Sequence, residues 1–445
     1  MSDSKSIFSG VSPNIDQFYT RDVDGVLYVS HASILVSLNG KKFLFDPVLA
    51  KPPHLGSWLF YPEMQRDSRM LEVDGVFVSH QHQDHYDVDF LKLLPRSTTI
   101  YIVAGRPQFS KMLAREGIPF VELPENQKFD LGGGVSCIGI LHEYNGIDAA
   151  VAISNGDFTV FHGNDCFVSN EKLKIVKDAY PSINVACVPF AYVHWYPFLL
   201  EEVDAAWKKA EADRLINEYL DYGLRQVEFL RPDIAIPFGA NMFYCDDISS
   251  EHNKAVLSPF DFKSHAVKKG FALEKNILPL FSGDTVLSIG DSQKRRLEIS
   301  QKEFSLEELH TGFGKYLASV QEHGTGFDAS LIEKLAADTL QDLSFITVRL
   351  SSAETVADQR IYISNMDDSS FGLIEIDLKS HGVEKKSFID ESVPFHHFRL
   401  TDLAYKAYLC QKFSFNEIVA SSRFRLIRRP NEYRLDVLMI VNNVL

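Results

Sequence analysis

In the run Ser79-His80-Gln81-His82-Gln83-Asp84-His85-Tyr86-Asp87, four side chains able to hold a metal ion, His80, His82, Asp84 and His85, fall within six residues. Neutral imidazoles suit zinc, iron and manganese, and a carboxylate four positions after the first histidine adds a hard anionic donor that can serve a second ion. The spacing predicts two divalent metal ions, with zinc favoured and iron or manganese as alternatives. A solvated turn without function would not be expected to gather three histidines and an aspartate so closely. The run follows Val73-Asp74-Gly75-Val76-Phe77-Val78, an apolar β-branched stretch that predicts a buried strand, so the donors sit on the loop at a strand end.

His80-x-His82-x-Asp84-His85 after a strand resembles the signature of the metallo-β-lactamase superfamily. Upstream, Val29-Ser30-His31-Ala32-Ser33-Ile34-Leu35-Val36 and Lys42-Phe43-Leu44-Phe45-Asp46-Pro47 resemble its paired opening strands, with Asp46 at the place of its first motif aspartate. Gly56-Ser57-Trp58-Leu59-Phe60-Tyr61-Pro62 is similar to the metallo-β-lactamase portion of the CMP-N-acetylneuraminate hydroxylases. A looser similarity extends to the ascorbate-6-phosphate lactonases and the N-acyl-phosphatidylethanolamine phospholipase D group. The resemblance implies an α/β fold, an αββα sandwich over residues 1–285, followed by a smaller α+β domain over 286–445. It also implies further ligands. His142, ending the strand Ile138-Gly139-Ile140-Leu141, takes the place of the third imidazole of the first metal. Asp165, in His162-Gly163-Asn164-Asp165, takes the place of the carboxylate that bridges both ions. The late histidine of the family has no clear counterpart after Asp233–Phe243; His252 is the candidate, with His194 as a loop residue nearer the substrate. His162 is expected on the opposite strand face, in a structural role.

Composition bounds the function. A net charge of -15 disfavours non-specific nucleic-acid binding, so a DNA- or RNA-processing role loses weight. No segment reaches the ~20 apolar residues needed to span a bilayer, and Met1-Ser2-Asp3-Ser4-Lys5 is too polar to start a secretory signal. Cys137, Cys166, Cys187, Cys245 and Cys410 are scattered, which argues against a disulfide framework and for a cytoplasmic, reducing setting. The paired Cys-His motifs that a Rieske cluster requires are absent, so the resemblance to the hydroxylases reaches their metal domain and not their reaction.

The elements that must position the donors are mostly strands up to about residue 190, after an irregular lead-in over residues 1–22. Helices are expected from Val88 to Leu94, from Gln108 to Glu116, and over Glu201–Leu230, where Val203, Trp207, Ala210, Leu215, Tyr219, Leu224 and Val227 recur near the helical period as a core-facing stripe. In the second domain, helices are expected over Ser305–Val320, Asp328–Leu340 and Thr401–Cys410. Strands are expected over Phe345–Leu350, Gln359–Ser364 and Phe371–Leu378. This tail faintly resembles a sterol-carrier-like pattern; a docking module that could form a homodimer is the plainer reading.

Two ions sharing a water would supply hydroxide near neutral pH to attack a carbonyl carbon or phosphorus, with Asp84 in the reacting centre and Tyr192, His194 or Asn241 as candidate oxyanion donors. The expected activity is hydrolysis of an ester, lactone or phosphodiester of a small molecule. The alternatives are a di-iron oxygenase on the same donors, with Glu143 hardening the site, and a non-catalytic metal-binding scaffold.

Overall fold

The computed structural model describes residues 13–432, except for 144–145, 291–295, 303, 324, 326, 340–358, 381 and 411–414. Strands such as Gly25–Ser30, Ser33–Leu38 and Ala149–Ser154 are buried at every position. A strand hidden on both faces needs a layer above and below it, and two packed sheets supply those layers. Among the described residues, eight strands form the first sheet, in the order Arg296–Ser300, Thr285–Ile289, Gly25–Ser30, Ser33–Leu38, Lys41–Phe45, Gly75–Phe77, Thr99–Val103 and Val121–Leu123. Six form the second, in the order Ile234–Phe238, Val185–Pro189, Thr159–His162, Ala149–Ser154, Val135–Leu141 and Lys128–Gly132.

The inner faces meet through Tyr28, Val36, Phe45 and Phe77 on one side and Val151, Val160, Cys187 and Ile236 on the other. The outer face of the first sheet is covered by Ile15 and Phe18 of helix Pro13–Thr20, Phe90 of helix Val88–Leu93, and Phe109 and Leu113 of helix Pro107–Arg115. Helices Asn170–Ala179, Ala205–Leu230 and Pro259–Lys268 cover the second with Leu173, Leu224, Val227 and Phe262. The result is the expected αββα sandwich.

Three details differ from the sequence reading. The lead-in is not wholly irregular, because Pro13–Thr20 is a helix that buries Ile15 and Phe18. The boundary expected at residue 285 falls where strand Thr285–Ile289 begins, and that strand and Arg296–Ser300 are the last two strands of the first sheet. Helix Ala205–Leu230 starts where Asp204 accepts the Trp207 N–H and ends at Arg231, which takes a left-handed conformation before Pro232. Its expected buried stripe is incomplete: Trp207 is 39% exposed, and burial begins only at Ala212.

Beyond the sandwich, helices Leu306–His323 and Ser330–Thr339 precede a further sheet, which among the described residues has five strands in the order Gly382–Lys386, Leu373–Asp377, Arg360–Asn365, Phe395–Leu400 and Phe424–Arg429. Helices Asp402–Leu409 and Phe415–Ala420 pack on it through Tyr405, Tyr408, Phe415 and Ile418. The strand expected over Phe345–Leu350 lies outside the described residues. This second core is not closed by its own segment, because Leu55, Trp195, Tyr196, Leu199 and Leu200 of the sandwich belong to it. The backbone continues the join: Leu426 N–H donates to Leu199 O at 2.9 Å, and Glu201 N–H donates to Leu426 O at 2.8 Å. No described helix is long and apolar enough to cross a membrane.

The two sheets approach closely at Gly139, where an added Cβ would lie 2.5 Å from Cγ2 of Val103, a β-branched side chain with little freedom to yield. Gly139→Ala is therefore expected to destabilise the fold by about 1–3 kcal/mol through overpacking, measurable by urea unfolding.

Candidate metal centre

Strand Gly75–Phe77 pairs in parallel with Lys41–Phe45 and Thr99–Val103, and the donor loop leaves its C-terminal end. Asp46, just past Lys41–Phe45, holds the loop in place. It accepts the Ser79 N–H at 2.7 Å and the Ser79 hydroxyl at 2.6 Å, and its Oδ2 lies 2.9 Å from His85 Nδ1. Asp87 caps helix Val88–Leu93 through the Phe90 N–H and accepts the Leu49 and Ala50 N–H groups, so its carboxylate is structural. Arg106 joins the walls of the site: its buried guanidinium donates to the carbonyls of Ser79, Val103 and Ile147, next to His80 on one side and Asp148 on the other. Burial lowers its pKa to about 10, which leaves it charged.

Asp84 is buried among three imidazoles. Its Oδ1 lies 2.9 Å from His54 Nε2, and its Oδ2 lies 3.0 Å from His31 Nε2 and 3.1 Å from His85 Nε2. Burial would raise this carboxyl, but His85, His31 and His54 outweigh it and hold the group well below the ordinary carboxylate range.

The hydrogen-bond partners identify which ring nitrogens carry protons. His31 Nδ1 lies 2.9 Å from the Ala240 carbonyl oxygen, which can only accept, so Nδ1 is the N–H. In a neutral ring its Nε2 then presents a lone pair to Asp84 Oδ2. His85 repeats the pattern, with Nδ1–H on Asp46 and Nε2 turned toward Asp84 and, at 3.6 Å, Asp165. Two lone pairs aimed at a carboxylate repel unless a cation lies between, either a proton or a metal ion. Burial opposes charge on His85, yet Asp165 and Asp84 prevail and raise its pKa well above the ordinary value. A carboxylate fixing the far nitrogen of a ring, as Asp46 does, is the usual way a metal-binding histidine is oriented.

The second half of the cluster lies around His80. His80 Nε2 is 2.8 Å from His82 Nδ1 and 3.6 Å from Asp148 Oδ1, and its Nδ1 is 4.0 Å from Asp165 Oδ1. Burial, with His85 and His82 beside it, lowers the His80 pKa and keeps the ring neutral, the form a metal needs. Donors on one tetrahedral ion with bonds of about 2.0–2.1 Å lie roughly 3.4 Å apart. Among the described residues, three overlapping sets have all their donor atoms within 4.8 Å of one another: His31, Asp84 and His85; His80, His85 and Asp165; and His80, His82 and Asp148. The first and second sets share His85, and the second and third share His80. The Asp165 side chain is 45% exposed, but its Oδ1 is buried without a hydrogen-bond partner.

Of the residues singled out in the sequence, His80, His82, Asp84, His85 and Asp165 come together. The ring of His142 lies outside these sets, packed against Phe167 with centroids 6.2 Å apart, while its backbone N–H donates to Asp148 O. His252 is also outside them. Its ring sits between Phe198 and Tyr244, neither ring nitrogen has a hydrogen-bond partner, and burial lowers its pKa to about 3. His194 accepts the Tyr196 N–H at Nδ1, 3.3 Å from the Tyr192 hydroxyl. Asn241 donates its amide to the Tyr28 hydroxyl, and so serves the segment that carries Ala240. His162 is held at the Ala32 carbonyl between Phe45 and Phe238, in agreement with its expected structural role. Sequence reasoning missed His31, His54, Asp148 and Arg106 as members of the site. His31 lies in the turn after the first strand, His54 opens a short 3-10 helix, and Arg106 and Asp148 lie in connections; His31 and His54 have positive φ, of 39° and 53°, which no local pattern announces.

Residues 41–216 match the family model described as a beta-lactamase superfamily domain. Among curated proteins, a metal-dependent hydrolase of the UPF0173 group from Thermofilum pendens is 27% identical over 229 residues, covering 48% of this chain and 83% of that protein. A Mycobacterium tuberculosis protein with the provisional name Rieske 2Fe-2S iron-sulfur protein is 26% identical over 188 residues, covering 40% of this chain. The chain spans only 36% of that relative's length. The cytidine monophosphate-N-acetylneuraminic acid hydroxylase of Mus musculus is 33% identical over 90 residues, covering 19% of this chain and 16% of the enzyme. Over residues 41–216, then, the chain matches the beta-lactamase superfamily domain, within an α/β metallo-β-lactamase-like sandwich to which a C-terminal sheet is added.

Proposed function

We propose that this protein is a metal-dependent hydrolase acting on an ester, lactone or phosphodiester of a small molecule. The observation that carries the reading is the pair of imidazole nitrogens, His31 Nε2 and His85 Nε2, directed at one buried oxygen of Asp84. In this reading His80, His82 and Asp148 would hold one divalent ion and His31, Asp84 and His85 another, with Asp165 available beside His80 and His85. Bound ions of this kind lower the pKa of a shared water toward neutrality and polarise a carbonyl or phosphoryl oxygen. The chain's own part is orientation and exclusion. Asp46 and the Ala240 carbonyl fix the tautomers of His85 and His31. Arg106 holds the Ser79 and Ile147 backbones together, and Phe60, stacked on His31 at 5.1 Å, keeps water from the inner side. The exposed edge of Asp165 marks the side from which substrate approaches.

A second reading, oxygenation at a di-iron centre, draws on one feature: Asp84, Asp148 and Asp165 give the cluster three carboxylates, a hard donor set that iron also accepts. Metal analysis of protein purified without added metal separates the two readings. The expected result is about two zinc ions per chain and a colourless protein that hydrolyses esters, lactones or phosphodiesters. About two irons per chain, with oxygen uptake on reduction, would replace the hydrolase reading with the oxygenase one.

Chelation of the metal should lower unfolding stability by about 3 kcal/mol, the linkage expected when the ion is present at roughly a hundredfold above its dissociation constant. His31→Ala is expected to weaken metal binding by roughly 10–100-fold in a chelator competition, as loss of a ligand or of the partner that orients one does. An unchanged affinity in that variant would remove His31 from the donor set.

A further inference from the structure

The C-terminal module reaches the metal centre through one short helix. Glu417, in helix Phe415–Ala420, accepts a hydrogen bond from the Gln83 amide at 2.8 Å, and Gln83 lies between His82 and Asp84 in the donor loop. The Gln83 amide oxygen in turn accepts the backbone N–H of His54 at 2.7 Å, and the His54 ring meets Asp84 Oδ1 at 2.9 Å. A second contact from the same helix runs in parallel. The Ala420 carbonyl accepts the Trp58 indole N–H at 3.1 Å, and Trp58 packs on the His54 ring with centroids 4.4 Å apart. Between these two anchors the chain makes a tight turn in which His54 and Leu55 both have positive φ, of 53° and 58°. Consecutive residues of that turn serve different cores: His54 faces Asp84, and Leu55 is buried among the side chains of the C-terminal module.

We infer that Glu417 is a positioning residue for the metal centre: through Gln83 and His54 it sets the orientation of the Asp84 carboxylate, which makes the C-terminal module a structural part of the site. A residue with positive φ in a short turn is held by its surroundings rather than by its own preference. The His54 ring has no bond at Nδ1, so its direction depends on the backbone anchor at Gln83 and on the Trp58 face. When Glu417 is lost, the Gln83 amide is free to turn, the anchor on His54 loosens, and Asp84 loses the contact that aligns Oδ1 while Oδ2 faces His31 and His85. This inference rests on the reading of the cluster as a metal centre.

The test uses the full chain, with Glu417→Leu and Gln83→Met as disrupting variants and Glu417→Gln as the conservative one, since a glutamine oxygen still accepts from Gln83. Two quantities are read: the imidazole nitrogen signals of His54 in metal-free protein labelled at histidine, and Zn2+ affinity by chelator competition. Both disrupting variants should shift the His54 signals and weaken zinc binding by about tenfold, as loss of a partner behind a ligand does. Glu417→Gln should leave both near the wild-type values. Unchanged His54 signals and unchanged zinc affinity in Glu417→Leu and Gln83→Met would overturn the inference. If the wild type takes up no zinc while His54 still responds to Glu417→Leu, the metal reading falls and the positioning of Asp84 by Glu417 stands.

Discussion

A carboxylate removed from water must be matched by positive charge and by hydrogen bonds, or it will not stay ionised. Asp84 is that group here, and satisfying it draws three histidines from three separate elements: His31 from the turn between the first two strands, His54 from a short turn before Trp58–Phe60, and His85 from the donor loop itself. The contacts of Asp84 therefore join the opening hairpin, the long connection that follows it and the edge of the central sheet. The backbone is arranged accordingly. His31, Asp46 and His54, which touch this cluster, all have positive φ, a conformation that non-glycine residues keep only where surrounding contacts require it.

Around that group the polar contacts form two layers. Asp46 and the Ala240 carbonyl meet the far nitrogens of His85 and His31, so their near nitrogens converge on Asp84, while Ser79 meets His80 Nδ1 and His80 Nε2 faces His82 and Asp148. Asp46 also accepts two bonds from Ser79, and Arg106 reaches the Ser79 carbonyl, which ties the strand end bearing the motif to the segment bearing Asp148. The chain as a whole carries a net charge of -15. Cations bound among Asp84, Asp148 and Asp165 would be the strongest positive field in a predominantly acidic molecule, and would attract an anionic group to this one place.

The C-terminal sheet shares residues with the sandwich instead of standing apart. Leu55, Trp195, Tyr196, Leu199 and Leu200 complete its apolar core, and residues 199–201 hydrogen-bond to strand Phe424–Arg429. Removing a fold layer that supplies so much buried surface exposes the apolar side chains it covered. The motif loop, the turn at His54 and the helix Phe415–Ala420 thus respond to one another through packing as well as through hydrogen bonds.

Much was already legible in the amino-acid order. The local run His80 to His85 and the apolar strand before it carry their own periodicity, because neighbours in sequence determine both the strand and the loop at its end. Helices Val88–Leu93, Pro107–Arg115 and Asp402–Leu409 likewise follow from caps and spacing. The remaining members of the site have no such local cause. His31 lies 53 residues before Asp84, and His54 lies 30 before it. Asp148 and Arg106 sit in separate connections, and each becomes a neighbour of the motif only when the sheets pack and the strand ends align. The late histidine expected at His252 is instead enclosed by Phe198 and Tyr244, since the fold places its turn against the second core. The sequence by itself determined the donor motif and the strand before it, products of short-range pattern and burial, and pointed to the layered architecture through the family resemblance that this motif carries. Only the tertiary structure decided which distant imidazoles and carboxylates surround Asp84, because that choice is made by long-range packing around a buried charge.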